Sequence, residues 1–388
     1  MAQCKTSPEV GGMGHSVKRK EDPRFIRGQG NYVDDIVRPG MVFMDIVRSP
    51  YAHAKIKSIN TEKALAHPGV AAVITGETLK EYNLHMMPTL MSDTQMVLPI
   101  EKVCYQAQEV AAVIATDRYS AADGVELVEV EYEPLPVVVD PHKATDPDAP
   151  IIRDDKEGQD SNHIFHWEAG DKSGTDEIFK NADVTVKENI YLPRIHVASI
   201  ETCGCLSEFD SVTGRLTVWM TTQAPHAIRT VLALVAGHVG LQEDKIRVIS
   251  PDIGGGFGGK VPVYPGYVIA IAASVVTGLP IKWIEDRREN LQADSFARDY
   301  HMTCEIAADK DGTLNGLRIN TLADHGYADA AANPSKWPAG MFSICTGSYN
   351  FKNAFVEVDG VYTNKPPGGI AYRCSFRVTE AVHAIERM

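Results

Sequence analysis

The segment Gly254–Lys260, GGGFGGK, constrains this chain more than any other stretch. Five glycines around one phenylalanine give up nearly all side-chain packing, and each ordered glycine loses much backbone entropy. The run follows a strand-like stretch, KIRVIS at 245–250, and precedes an apolar stretch with helical character. Glycines let backbone N–H groups come close to an anion, and a helix N-terminus adds partial positive charge. A phosphate, a pyrophosphate or a metal-oxo group suits that chemistry. Two familiar motifs match only in part. G-x4-G-K is present, but Val261 stands where a P-loop needs Ser or Thr for magnesium. G-x-G-x-x-G is present through Gly254, Gly256 and Gly259, but Pro262 and Pro265 interrupt the strand–turn–helix of a dinucleotide site. A glycine-rich turn without a ligand is the remaining alternative.

A chain of 388 residues exceeds one ordinary core and suits two or three domains. Residues 1–24 are rich in charge, Gly and Pro and read as a loose arm. Residues 25–136 alternate short strands and helices, with strands expected at 41–48, 56–59, 70–74, 110–115 and 130–132 and helices at 61–67 and 120–128. Residues 137–181, rich in Pro, Asp and Gly, read as a linker and lead-in segment. A second domain is expected over 182–388. Its strands fall at 184–191, 216–220, 246–248, 302–306, 317–322 and 355–358, and its helices at 226–237, 267–277 and 378–387. The last helix pattern, EAVHAIERM at 380–388, runs to the end of the chain without a cap, so a truncated C-terminal end is expected. The fold class is mixed α/β (α+β).

The run 366–377, PPGGIAYRCSFR, is the second chemical candidate. Two prolines and two glycines impose a fixed, non-regular backbone. The run then presents Arg373, Cys374, Ser375, Phe376 and Arg377 together. Two guanidiniums near a thiol favour the thiolate, and a soft thiolate ligand selects Cu(I). A buried, inert cysteine beside two unrelated arginines is the alternative. The C-x-C of Cys203 and Cys205 lacks further ligands at recognisable spacing and reads as structural. His226 reads as a packed or polar-network residue, and Glu201 fits either a buried or a surface position.

Composition narrows the function. A formal net charge of −13 argues against nucleic-acid binding, which rests on clustered Lys and Arg. Seven scattered cysteines do not suit a disulfide framework, and none of their spacings suits an iron–sulfur cluster. No apolar run approaches the ~18 residues of a membrane span. No secretory signal precedes the first domain. The cytoplasm is therefore the default compartment, with attachment to the inner face of the membrane through a partner left open.

Three stretches resemble the xanthine oxidase family of molybdenum hydroxylases: FIRGQGNYVDDI at 25–36, RSPYAHAKI at 48–56 and DIGGGFGGK at 252–260. Within that family, ETCGC at 201–205 and AYRCSFR at 371–377 resemble the large subunits of its carbon-monoxide-oxidising branch. The resemblance implies an α/β hammerhead domain followed by the first molybdopterin-binding domain. It implies a molybdopterin cytosine dinucleotide with molybdenum, joined through sulfide to a copper held by Cys374. It implies that Gln223 hydrogen-bonds a molybdenum oxo ligand and that Gly254, Gly255, Gly256, Phe257 and Gly258 lie against the cofactor. Arg373 would steady the loop or the cluster, with Ser375, Phe376 and Arg377 completing the contact. FAD and [2Fe-2S] groups are implied on a medium and a small partner subunit, assembled as a dimer of heterotrimers.

The chemistry of the substrate agrees with that implication. Carbon monoxide has almost no dipole and no useful hydrogen-bonding group, so polar side chains cannot grip it, whereas a soft, electron-rich metal binds its carbon. The expected reaction is CO + H2O → CO2 + 2 H+ + 2 electrons. A molybdenum hydroxylase of an aromatic heterocycle or aldehyde is the alternative, and Cys374 is the discriminating residue. A catalytically inactive fragment is the third reading, because the family's large subunit is about twice as long and its second half supplies a glutamate near the metal.

Overall fold

The computed structural model describes residues 13–14, 16–90, 93–329, 337–373 and 378–388, with only the backbone described at 337–339 and 378. Of the candidate residues, Cys374, Ser375, Phe376 and Arg377 lie outside the described residues. The fold is mixed α/β, as expected from the sequence.

Among the described residues, seven strands form one sheet in the order Ile246–Ile249, Arg215–Met220, Gly204–Asp210, Ile281–Ile284, Val42–Arg48, Glu109–Ala115 and Val70–Thr75. This sheet runs through both halves of the chain, because Val42–Arg48 lies parallel to Ile281–Ile284 and antiparallel to Glu109–Ala115. Glu109–Ala115 is buried along its whole length, as expected for an apolar central strand. The helix Pro265–Thr277 packs on the strands Gly204–Asp210 and Ile281–Ile284. It is apolar all round because it is buried nearly all round. Gly266 is required there, since any Cβ would overlap the indole of Trp283.

A second, five-stranded sheet has the order Val184–Leu192, Tyr300–Ala308, Leu314–Asp324, Asn353–Val361 and His163–Gly170. Its apolar face, with Met302, Ile319, Val356 and Val358, is covered by the helix Val378–Arg387 through Ala381, Ala384 and Ile385.

Two sequence expectations change. The stretch expected as a linker holds the strand His163–Gly170 and the helix Lys172–Asn181. That strand lies at a sheet edge with alternate residues exposed, so it lacks the apolar run that marks a strand in sequence. The helix is capped by Asp171, whose side chain accepts from the Gly174 N–H at 2.9 Å. At the N-terminus, the arm is tethered at its far end: Arg24 pairs with Asp252, just before the glycine run.

Two connections cross between the sheets, residues 193–203 and 285–299, and a third segment, 362–373, leaves the last strand of the second sheet beside them. The candidate site lies where they meet.

Candidate functional site

The strands Arg215–Met220 and Ile246–Ile249 are parallel neighbours, so the loops that follow them leave from the same end of the sheet. The antiparallel strand Gly204–Asp210 begins at that end, and Ile281–Ile284 finishes there. Topology alone therefore gathers Glu201, Cys203, Gln223, Gly254–Lys260 and Glu285.

The glycine run is folded on these neighbours. Gln223 N–H donates to Lys260 O at 2.9 Å. Gln223 Oε1 accepts from Gly258 N–H at 2.9 Å and from Lys260 N–H at 3.3 Å. Gly256 lies so close that a Cβ would come within 2.5 Å of the Gln223 amide. Glu201 Oε2 accepts from Gly254 N–H at 2.7 Å and pairs with Lys260 Nζ at 2.8 Å. Tyr264 donates its hydroxyl to Gly259 O at 2.6 Å. Phe257, at φ 49°, is turned outward and is 65% exposed.

One expectation is corrected here. The helix after the run starts at Pro265 with Tyr264 as its N-cap residue, four residues beyond Lys260. The two prolines that weaken the dinucleotide fingerprint also hold the glycines away from the helix terminus, whose field falls off within a turn. The loop's own amides, the other expected source of donors, remain. Among the described residues, the N–H groups of Gly255, Gly256 and Phe257 have no acceptor. Three successive free donors, with the Gln223 Nε2 amide equally unpartnered, make a cradle for an anionic or oxo group. This donor set fits a metal-oxo cofactor.

The cysteine run meets the glycine run at one contact. Gly258 has φ +98°, and a Cβ there would overlap the Ala371 carbonyl oxygen. Gln223, Gly256, Gly258 and the backbone of Ala371–Arg373 are therefore brought together. Arg373 is exposed at φ 48°, with its guanidinium 5.8 Å from the centroid of the Tyr372 ring. Cys374 and the three residues after it fall outside the described residues, so the thiol itself is not placed.

Behind the glycine run lies a buried polar group. Cys203 Sγ donates to Asp294 Oδ2 at 3.5 Å, and Asn290 Nδ2 bridges Asp294 Oδ2 at 2.6 Å and Glu285 Oε2 at 3.0 Å. Burial pushes the Cys203 thiol and the Glu285 carboxyl well above their ordinary ranges and Asp294 up to about 6. The group is thus a proton-holding network rather than a set of ready metal ligands. Cys205 is fully buried, and burial pushes its thiol up as well. The structural reading of Cys203 and Cys205 is consistent with this. His226 is exposed in the first turn of its helix, not packed as expected, because the apolar stripe of that helix runs through Ile228, Val231, Leu232 and Val235.

Several residues around the site left no mark in the sequence reading. Arg194, Arg298 and Asp299 converge on the cysteine run from other parts of the chain, and Asp299 pairs with Lys365, which directly precedes the run.

Two family models match the chain. The molybdopterin cofactor-binding domain matches residues 156–388. The aldehyde oxidase and xanthine dehydrogenase a/b hammerhead domain matches residues 27–136. The carbon monoxide dehydrogenase large chain of Hydrogenophaga pseudoflava is 58% identical over 388 residues, covering 98% of this chain and 48% of that protein. The nicotine 6-hydroxylase large subunit of Paenarthrobacter nicotinovorans is 35% identical, covering 92% of this chain and 44% of that protein. The crystal structure of the Cu,Mo-CO dehydrogenase in its carbon monoxide reduced state superposes with a TM-score of 0.92 at 57% identity, covering 98% of this chain and 49% of that one. The chain thus spans about half the length of these relatives.

Proposed function

The chain belongs to the xanthine oxidase family of molybdopterin-binding large subunits, and on that footing we propose that it forms part of the catalytic subunit of an aerobic carbon monoxide dehydrogenase. The observation that carries this reading is the contact of Gly258 with Ala371, which sets the glycine cradle against the run that ends in Cys374. The 58% identity to a carbon monoxide dehydrogenase large chain supports it.

When bound, the molybdenum–copper centre would supply the oxygen and take up the two electrons of CO + H2O → CO2 + 2 H+ + 2 electrons. The chain's own residues hold and orient that centre. Cys374 is the copper ligand, its thiolate favoured by Arg373 and Arg377. Gln223 presents its amide nitrogen to an oxo ligand, because its oxygen is already committed to Gly258 and Lys260. The free amides of Gly255, Gly256 and Phe257 face the same ligand set. Gly254 contributes by carrying the Glu201 anchor, and Ser375 and Phe376, next in sequence to the copper ligand, are proposed as further cofactor contacts. The cofactor in this reading is a molybdopterin cytosine dinucleotide. Electrons leave through [2Fe-2S] and FAD groups on small and medium subunits, in a dimer of heterotrimers. No helix among the described residues is long and apolar enough to cross a membrane. The proposed location is the cytoplasm, with attachment to the inner face of the membrane through a partner left open.

The test is to count copper and molybdenum per large subunit in the assembled complex while following CO-dependent reduction of an electron acceptor. Near-equal copper and molybdenum with CO turnover is expected. Molybdenum without copper, even after copper and sulfide reconstitution, would move the reading to a hydroxylase of heterocycles or aldehydes. Cys374→Ala should lose copper and CO oxidation but keep molybdenum; full activity in that variant would sink the copper assignment. Gln223→Ala should slow turnover with the cofactor in place, and an unchanged rate would refute its role.

A further inference from the structure

The second sheet carries a polar cluster that the proposed reaction does not use. Val356 and Val358 face the helix Val378–Arg387, so Glu357 and Asp359 point to the other side of the sheet. On the neighbouring strand His163–Gly170, Glu168 lies directly opposite Glu357 and His166 directly opposite Asp359. These four side chains therefore form one patch across two strands. Two glutamates placed directly opposite each other repel and weaken a sheet unless a positive group offsets them. The strand His163–Gly170 lies at the edge of its sheet, so the repulsion falls on its one neighbour.

The imidazole of His166 is the centre of the patch. Its Nδ1 lies 3.0 Å from Asp359 Oδ1, and its Nε2 lies 3.8 Å from Glu168 Oε2. An ionised carboxylate only accepts, so Nδ1 carries the hydrogen and donates to Asp359. In the neutral ring Nε2 then holds a lone pair on the side of the glutamates. Metal-binding histidines are held in this way, with a carboxylate on the other ring nitrogen fixing tautomer and orientation. Asp359 is itself fixed, because His163 Nε2 donates to the same Oδ1 at 3.0 Å. Glu357 is oriented by Asn320, whose Nδ2 donates to Oε1 at 2.5 Å. The ligand atoms of His166, Glu168 and Glu357 lie within 4.8 Å of one another. Ligands around a zinc-sized ion sit roughly 3.4 Å apart at metal–ligand distances of about 2.1 Å. Rotation of the two glutamate side chains closes that difference. His166 and Glu168 are about half exposed, so an ion enters from solvent and keeps water on its open side.

We propose that His166, Glu168 and Glu357 bind a divalent cation of the zinc class, and that Asp359 orients His166 for it. One imidazole nitrogen, two carboxylates and water make a ligand set that suits Zn2+. The bound cation offsets the facing glutamates and clips the edge strand to its neighbour. All of these residues belong to the second sheet, and the site is separate from the glycine and cysteine runs in its ligands and in its chemistry.

The experiment is equilibrium dialysis of the assembled complex against Zn2+ at about pH 8, where protons compete little for the imidazole nitrogen, with zinc, copper and molybdenum counted per large subunit. Wild type is expected to take up one zinc beyond its resting content without losing copper or molybdenum, and to melt at a higher temperature with zinc than without it. His166→Ala is expected to lose that zinc. Asp359→Asn is expected to bind it about 10-fold more weakly, and Glu168→Gln more weakly still. Substitutions at such exposed positions cost little stability, so the variants remain folded. No saturable zinc uptake in wild type overturns the proposal. So does zinc that only replaces copper, or zinc held equally by wild type and His166→Ala. Zinc lost in His166→Ala but held at wild-type strength in Asp359→Asn supports the ligand set and overturns the orienting role. The zinc count is independent of CO turnover, so failure of the carbon monoxide reading leaves this outcome unaffected.

Discussion

The glycine run and the cysteine run meet at Gly258 and Ala371, yet they are held in different ways. The glycine run is fixed by near neighbours at one sheet end, through backbone amides bonded to Gln223 and Glu201, with Lys260 as its only charged side chain. The cysteine run is fixed by charged side chains, Arg194, Arg298, Asp299 and Asp324 from distant parts of the chain paired with Lys365 and Glu380 that flank the run. The first arrangement leaves free donors for a ligand. The second ties its segment to buried charges. A cradle made of backbone depends on shape, and a clamp made of charges depends on pairing, so the two should fail under different substitutions.

Shape should give the largest effect. Gly258→Ala combines positive φ with overlap of the Ala371 carbonyl, and both sides of that contact are backbone. The expected loss of stability is about 4 kcal/mol or more, in the range reserved for strained or overpacked positions. Gly259→Ala is the control, because its Cβ would lie 3.1 Å from the Val197 side chain, which can give way. There the expected loss is about 1 kcal/mol. Denaturant unfolding of both variants decides the point, and equal losses would mean the two runs are not in rigid contact.

Charge should come next, and unequally. Lys260 is buried and is the single cation on Glu201 among the described residues, so Lys260→Met should cost about 3 kcal/mol by leaving that carboxylate unpaired. Lys365 is 23% exposed and pairs with Asp299 and Asp324; when it is removed Asp299 keeps Arg194, and Asp324 keeps Arg194 at 4.0 Å together with the Gly326 N–H and the Thr363 hydroxyl. Lys365→Met should therefore cost roughly 1–2 kcal/mol, less than the typical broken buried pair. The reverse order in thermal or urea melts would show that the glycine run is not singly anchored.

Much of this was legible in the sequence, and the reasons are physical. Glycine spacing and flanking strand and helix patterns located the run 254–260, and the apolar periods of Glu109–Ala115 and Pro265–Thr277 marked them as buried. Gln223 was placed by resemblance, and its geometry follows from two parallel strands ending together. The edge strand His163–Gly170 was missed because one exposed face hides a strand period. The four-residue strand Ile281–Ile284, central to the first sheet, is too short to announce itself. Arg298 could not be seen, since an arginine's value there depends on residues 74–82 positions away in sequence. Of the two expected contributions to the cradle, the loop's own amides are present and the helix terminus is not, a distinction that only the position of Pro265 settles.

The smallest expected effect concerns the polar group behind the glycine run. Burial raises Asp294 to about 6, against an ordinary carboxyl near 4. Between about pH 4 and 6 the folded chain therefore binds a proton there that the unfolded chain does not. Stability tied to that proton is complete below the unfolded value and is lost as pH rises through about 6. Asp45 and Asp329, also raised to about 6 by burial, act in the same direction. Asp93 and Asp299, held low by Arg153, Lys365 and Arg194, act in the opposite direction but below the ordinary carboxyl range, so the two windows separate. Asp294→Asn keeps a neutral side chain beside Asn290 and removes one proton from the balance. Its stability curve should be flatter than wild type by on the order of 1 kcal/mol per pH unit between pH 4 and 6, measured by urea unfolding at fixed temperature. An unchanged slope would place the proton elsewhere in the group, on Glu285, and leave Asp294 with no part in the pH dependence.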